Sequence, residues 1–223
     1  MKTHLIYATS NPGKVREIQR HFGFHGIAVA APSDFISEKL NPDETGTSLG
    51  ENAHIKALAY AQELSKNQSL RGTRFIVISD DTGVEIAGLN GEPGIRVRRW
   101  KDGTKMGDEE IISYALERMQ GLTGEQRDAE FRTVLCMIVV DEHGTISDPI
   151  TTKGNLKGWI KEEADPMRIE GFPFECIFYV TEYGMLLGEL HHLPDEEKRA
   201  GKFNHRERAL ELAVPIIKGL MGE

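Results

Sequence analysis

The chain has 223 residues, of which 39% are hydrophobic and 28% charged, and its formal net charge is −8. This is the balance of a soluble globular protein, long enough for one large domain or two lobes sharing a core. The acidic total argues against an extended nucleic-acid-binding face, and no stable nucleic-acid complex is expected, although a local basic pocket is allowed. No apolar stretch approaches membrane-spanning length, and the N-terminal residues carry no signal-peptide core. The two cysteines, Cys136 and Cys176, fall in no metal-ligand spacing. A reducing, cytoplasmic setting is the expectation.

In chain order, residues 4–8 read as a buried strand running into Ala8-Thr9-Ser10-Asn11-Pro12-Gly13-Lys14. Asn11 can cap a following helix, and Pro12 suits its first position, where no N–H is needed. Gly13 permits close backbone approach, and open N–H groups beside Lys14 favour an anion, most simply a phosphate. An ordinary βα turn with a solvated lysine has the same pattern. A helix over 14–22 buries Val15, Ile18 and Phe22, and 27–31 is a second short strand ended by Pro32. Residues 33–48 form a polar loop. An alanine-rich helix over 48–65 faces inward with Ala53, Ala57, Tyr60, Ala61 and Leu64. Its first turns carry Glu51, Asn52 and Lys56, the last two on one face.

Residues 75–78 are continuously apolar and β-prone, the pattern of a strand buried on both faces. That strand is expected to end in Ser79-Asp80-Asp81-Thr82-Gly83. Two adjacent acids there are costly unless compensated by a divalent metal, a helix N-terminus or a surface position. A dense turn follows at 89–94, then Arg96, Arg98 and Arg99, which read as a surface strand more than as an anion site. Gly107 opens a helix with Ile111 and Ala115 inside. Residues 131–140 form a long core strand containing Cys136, and 146–160 contain its return partner. In 171–178 aromatics surround one acid, Glu175, which suits either a core strand or a flat ligand held by stacking. Asn204 is a reasonable N-cap for the last helix, with His205 and Arg206 in its first turn and Pro215 kinking or ending it.

Together these pieces resemble the inosine triphosphate pyrophosphatase family. The resemblance rests on Ala8 to Lys14 with Glu17, on Gly46-Thr47-Ser48 with Glu51-Asn52-Ala53 and Lys56-Ala57, and on Asp80-Asp81-Thr82-Gly83 with Leu89-Asn90-Gly91 and Pro93-Gly94. Gly171-Phe172-Pro173-Phe174-Glu175 and Asn204-His205-Arg206 look like divergent versions of its last two motifs. The resemblance implies an α/β fold: an elongated mixed β-sheet flanked by helices, in two lobes with a central cleft, forming a single domain over 1–223. It also implies a homodimer and Mg2+-dependent hydrolysis of aberrant purine nucleoside triphosphates to the monophosphate and pyrophosphate. Thr9, Ser10, Asn11, Lys14 and Lys56 would then bind the phosphates, and Glu51 and Asp81 the Mg2+. Asp81, or Asp80 beside it, would act on the water.

The base side departs from the family pattern. Phe174 and Glu175 stand where an aromatic and an aspartate are usual, Asn204 stands for a serine before His205 and Arg206, and the lysine before that motif is Lys198 or Lys202. Phe174, Glu175, Lys202, His205 and Arg206 are the base-binding candidates. The phosphate chemistry is the intact half, so alternative readings are the same chemistry on a different modified nucleotide, or nucleotide binding without catalysis.

Overall fold

The computed structural model describes residues 2–9, 11–38 and 40–222. The elements are β1 (Thr3–Tyr7), α1 (Pro12–Gly23), β2 (Val29–Ala30), α2 (Leu49–Lys66), β3 (Arg74–Ile86), β4 (Pro93–Gly94) and α3 (Asp108–Arg118). After them come β5 (Asp128–Val140), β6 (Ile150–Ile160), β7 (Phe178–Val180), β8 (Met185–Leu186), α4 (Leu187–His191), α5 (Asp195–Arg199) and α6 (His205–Met221). The strands form a mixed sheet in the order β2-β1-β3-β5-β6-β7-β8, with β4 paired to β3. β1 is parallel to β2 and β3, whereas β4, β7 and β8 pair antiparallel. The chain divides into two compact units.

The first unit comprises Met1–Asp81, Thr133–Lys153 and Glu207–Glu223. Its strands are covered on both faces, and alternation along each strand sorts the side chains between two cores. Leu5, Tyr7, Ile76, Ile78, Leu135, Met137 and Val139 pack with Ile18 and Phe22 of α1 and Ala209, Ala213 and Ile217 of α6. Ile6, Ala8, Phe75, Val77, Cys136, Ile138 and Val140 pack on Ala53, Ala57, Tyr60, Ala61 and Leu64 of α2. The inward face expected for α2 is the observed one. Cys136 is core, and burial pushes its thiol up to about 11.

The second unit comprises Thr82–Arg132 and Gly154–Arg206. Its core gathers Val84 and Ile86 of β3, Ile111 and Ala115 of α3, Phe131, Phe174, Phe178 and Leu190. Arg127 is buried and donates to the carbonyls of Ile160 (2.7 Å), Met119 (3.2 Å) and Leu122 (3.2 Å). Its guanidinium thereby satisfies backbone carbonyls that the apolar core cannot.

Three expectations need correction. The acids are not at the end of a strand: β3 continues through Asp80 and Asp81 to Ile86, because side chains from other elements compensate them in place. Arg98 and Arg99 lie in a 3-10 turn (Val97–Arg99), not a surface strand, and the Arg98 guanidinium bonds the Asp108 carboxylate and the Gly171 carbonyl. Pro215 does not end the last helix. It sits on the exposed face of α6, which runs on to Met221.

Candidate active site

β3 is the element that positions the acids. Adjacent residues on a strand point to opposite faces, so Asp80 follows Ile76 and Ile78 toward α1, whereas Asp81 follows Phe75 and Val77 toward α2. Asp80 meets Lys14 of α1, with Nζ to Oδ2 at 2.9 Å, and accepts a hydrogen bond from the Tyr7 hydroxyl. Asp81 meets α2: Lys56 Nζ lies 3.1 Å from Oδ1, and Asn52 Nδ2 donates to Oδ2 at 3.2 Å. Just before them Ser79 donates to the Ala53 carbonyl, anchoring β3 to α2.

Asp81 and Lys56 are 11% and 14% exposed at the side chain. Burial pushes the Asp81 carboxyl above the usual carboxylate range, against the opposing pull of Lys56 and Lys14. Burial alone would pull the Lys56 ammonium down, yet Asp81, Asp80 and Glu44 hold it above its ordinary value. Glu44 reaches Lys56 at 3.6 Å. Each lysine is therefore already committed to an acid, and the strand carries two acid–lysine pairs on opposite faces.

Glu51 is placed by the turn before α2. Ser48 caps the helix by accepting from the Glu51 N–H at 3.2 Å, and Glu51 Oε2 accepts from the Thr47 N–H (2.6 Å) and hydroxyl (2.8 Å). The Thr47 N–H, then its hydroxyl, hold the Glu51 carboxyl below the usual range. The Gly46 N–H donates to Asn52 Oδ1 at 2.8 Å. A Cβ at Gly46 would lie 2.7 Å from both Asn52 Oδ1 and Glu51 Cβ, so the turn closes on the helix only with glycine there.

At the start of α1, Asn11 is the N-cap: its Oδ1 accepts from the N–H of Gly13 (2.9 Å) and Lys14 (3.4 Å). The N–H groups expected to be open to an anion are thus taken by the cap. Thr9 Oγ1 accepts from the Asn11 N–H at 3.2 Å, holding the turn. Ser10 lies outside the described residues.

In the second unit, Gly171 to Cys176 is not a strand but a loop entering a 3-10 turn (Pro173–Cys176). Phe174 is 3% exposed, with its ring centroid 5.9 Å from that of Phe131 and 6.4 Å from that of Trp100. Glu175 is buried and meets His191 Nδ1 at 3.0 Å. Asn204 caps the start of α6 by accepting from the Arg206 N–H at 2.9 Å. The His205 ring stacks on Phe131 with centroids 4.6 Å apart and planes 10° from parallel. Arg206 donates to the Thr82 hydroxyl at 3.3 Å, and its guanidinium lies 5.6 Å from the Phe172 ring centre. Lys202 pairs with Glu197 at 2.5 Å near the surface, whereas Lys198 is fully buried.

Sequence reasoning missed Tyr7, His191 and Phe172. Tyr7 and His191 reach their acids across 73 and 16 residues of chain, and no local pattern announces such a pairing. Phe172 lies two residues before Phe174 in the same aromatic segment, and composition alone does not distinguish which of the two rings is buried.

Fold and site define an α/β protein whose acid–lysine pairs stand on a strand covered by helices on both faces. The Ham1 family model matches residues 5–216. A dITP/XTP pyrophosphatase of Thermus thermophilus is 33% identical over 214 residues, covering 96% of this chain and 91% of that protein. A dITP/XTP pyrophosphatase of Vibrio parahaemolyticus is 36% identical over 207 residues, covering 92% of each. Among solved structures, a HAM1 protein from Coxiella burnetii superposes with a TM-score of 0.73 at 28% identity, covering 98% of this chain and 100% of that one. The Staphylococcus aureus Ham1 protein gives 0.70 at 29% identity, covering 98% and 99%. The chain belongs to the Ham1 family.

Proposed function

We propose that the protein is a nucleoside triphosphate pyrophosphatase, acting on purine nucleotides of the dITP and XTP kind and releasing the monophosphate and pyrophosphate. The observation that carries the reading is the pair of acid–lysine contacts on β3, Asp80 with Lys14 and Asp81 with Lys56. A polyphosphate would give Lys14 and Lys56 anionic oxygens to bind in place of their acids, which frees the Asp81 carboxylate for a cation. The dITP/XTP pyrophosphatase relatives of matching length support the same reading.

Mg2+ fits the residues present. Asp81 is a carboxylate whose burial is only partly offset by lysine, and Glu51 adds a second oxygen donor, the ligand type a hard cation prefers. Glu51 and Asp81 would hold it, and its chemistry there is to neutralise phosphate charge and polarise the phosphoryl oxygens. Lys14 and Lys56 turn from their acids to phosphate oxygens. Asp81, or Asp80, orients the attacking water and accepts its proton as the oxygen bonds the α-phosphorus and the bond to pyrophosphate breaks. Thr9, Ser10 and Asn11 complete the phosphate-binding turn. His205, Arg206 and Glu175 would serve the base, with Lys198 or Lys202, whereas Phe174 is packed in the core of the second unit.

A panel of nucleoside triphosphates with Mg2+, read as pyrophosphate released, tests this. Turnover of dITP, ITP or XTP above ATP and GTP is the expected result, and no cleavage of any triphosphate overturns it. Thermal stabilisation by a triphosphate without turnover would instead mark a nucleotide-binding protein. One observation favours a second reading, a different modified base: the Glu175 carboxylate is engaged by His191. A better substrate elsewhere in the panel would establish it. The proposal includes a homodimer, checked by light scattering against the chain mass of 24.9 kDa. It also includes a reducing, cytoplasmic setting, which the free thiols of Cys136 and Cys176 fit. No helix among the described residues is long and apolar enough to cross a membrane.

A further inference from the structure

His21 is in the last turn of α1, His25 follows just beyond the helix, and Glu211 projects from α6. The Nε2 atoms of both histidines lie 3.1 Å from the same carboxylate oxygen, Glu211 Oε2. The three donor atoms are all within 4.8 Å of one another. None of these residues belongs to the proposed hydrolytic machinery.

We propose that His21, His25 and Glu211 form a binding site for a divalent transition-metal ion, of which Zn2+ is the representative. The donor set is two imidazole nitrogens and one carboxylate oxygen, which suits Zn2+, Co2+ or Ni2+ rather than the all-oxygen preference of Mg2+. Bond lengths of about 2.0–2.2 Å in a tetrahedral arrangement separate neighbouring ligand atoms by about 3.3 Å. The two nitrogen–oxygen distances of 3.1 Å are therefore close to those of a chelate, and all three donor atoms lie within 4.8 Å of one another.

The surroundings meet the other requirements of such a site. The His21 side chain is 1% exposed and is held by its packing, with Phe22 and Phe24 ring centroids 6.1 and 6.4 Å away. His25 is 26% exposed and Glu211 43%, so the outer side is open for an ion to enter and for water to take the fourth position. Glu17, one helical turn before His21 on α1, adds a favourable negative field at the His21 ring. Three neutral-to-acidic donors converging from α1, the turn after it and α6 are more than a lone histidine–carboxylate hydrogen bond requires. A bound ion would cross-link α1 to α6 and so steady the helix that Asn11 caps and whose first turn carries Lys14.

The test uses the full chain after chelator treatment. Co2+ titration is followed by visible absorption, where four-coordinate cobalt absorbs strongly, and Zn2+ binding by calorimetry. One equivalent per chain is expected, with binding weakened at least about tenfold in His25→Ala and in Glu211→Gln. Both positions are partly exposed, and circular dichroism confirms that the variants fold; Glu211→Gln keeps the side-chain shape should His25→Ala fail. Asp81→Asn should bind Zn2+ like the parent, which separates this site from the Mg2+ site. Absence of uptake, uptake undiminished in the folded His25 and Glu211 variants, or uptake lost in Asp81→Asn would each overturn the proposal.

Discussion

At the scale of single residues, the chemistry depends on which partner each acid holds. Asp81 touches Lys56 and Asn52, and an asparagine there keeps the volume and loses the charge. Asp81→Asn should lower pyrophosphate release by at least about a hundredfold with little change in thermal midpoint, on the scale of removing a general base or metal ligand. Unchanged turnover would remove Asp81 from the mechanism. Glu175 is different, because its contact is a histidine. Shortening it by one methylene withdraws the carboxylate by about 1.5 Å, beyond hydrogen-bond reach of His191 at its present 3.0 Å. Glu175→Asp is expected to reorder the base ranking in the triphosphate panel while leaving the Mg2+ concentration dependence as it is.

At the scale of elements, α2 and the turn before it act as one part. Gly46, Thr47 and Ser48 each bond to a side chain or N–H in the first turns of α2. Gly46→Ala forces a methyl within 2.7 Å of Asn52 Oδ1. The expected cost is about 1–3 kcal/mol, read as a lower urea midpoint at unchanged slope, together with reduced turnover as Asn52 and Glu51 are displaced. This element was legible in the sequence: alanine spacing set the buried face, and Ser48 marked the start. β3 was legible only to Ile78. Charged residues argue against a buried strand unless their compensation is known, and here it comes from lysines 66 and 25 residues away in the chain. The motif letters singled out Asp80 and Asp81 as candidates, while the pairing that makes them tolerable inside the strand is a tertiary fact. The same holds for Phe174, whose aromatic character suited a ligand as well as it suited the core that buries it.

At the scale of the whole molecule, acid stability is set in part by His21. Burial first of all, with a contribution from His25 and against the pull of Glu211, lowers its pKa from 6.5 to about 4. The unfolded chain therefore binds a proton more readily over this interval, and stability that is full above pH 6.5 is lost as pH falls toward 4. The sum is at most roughly 3 kcal/mol. Urea unfolding at a series of pH values should show a shallower decline between pH 6.5 and 4 for His21→Gln than for the parent. Parallel declines would assign acid sensitivity to the carboxylates instead.

The alternation along β3 also limits how the chain can change in length. Removing one residue between Ile78 and Asp80 would exchange the faces of every position beyond it, sending the first acid to Lys56 and the second to Lys14, and burying the wrong half of 82–86. No side-chain substitution could repair that, since the fault would lie in the parity of the backbone. Insertions and deletions in this strand should be acceptable only in twos, whereas the Asn90-Gly91 turn can lose or gain single residues. A deletion scan across 72–92, scored for soluble protein and for turnover, would show an odd–even pattern within the strand and none at the turn.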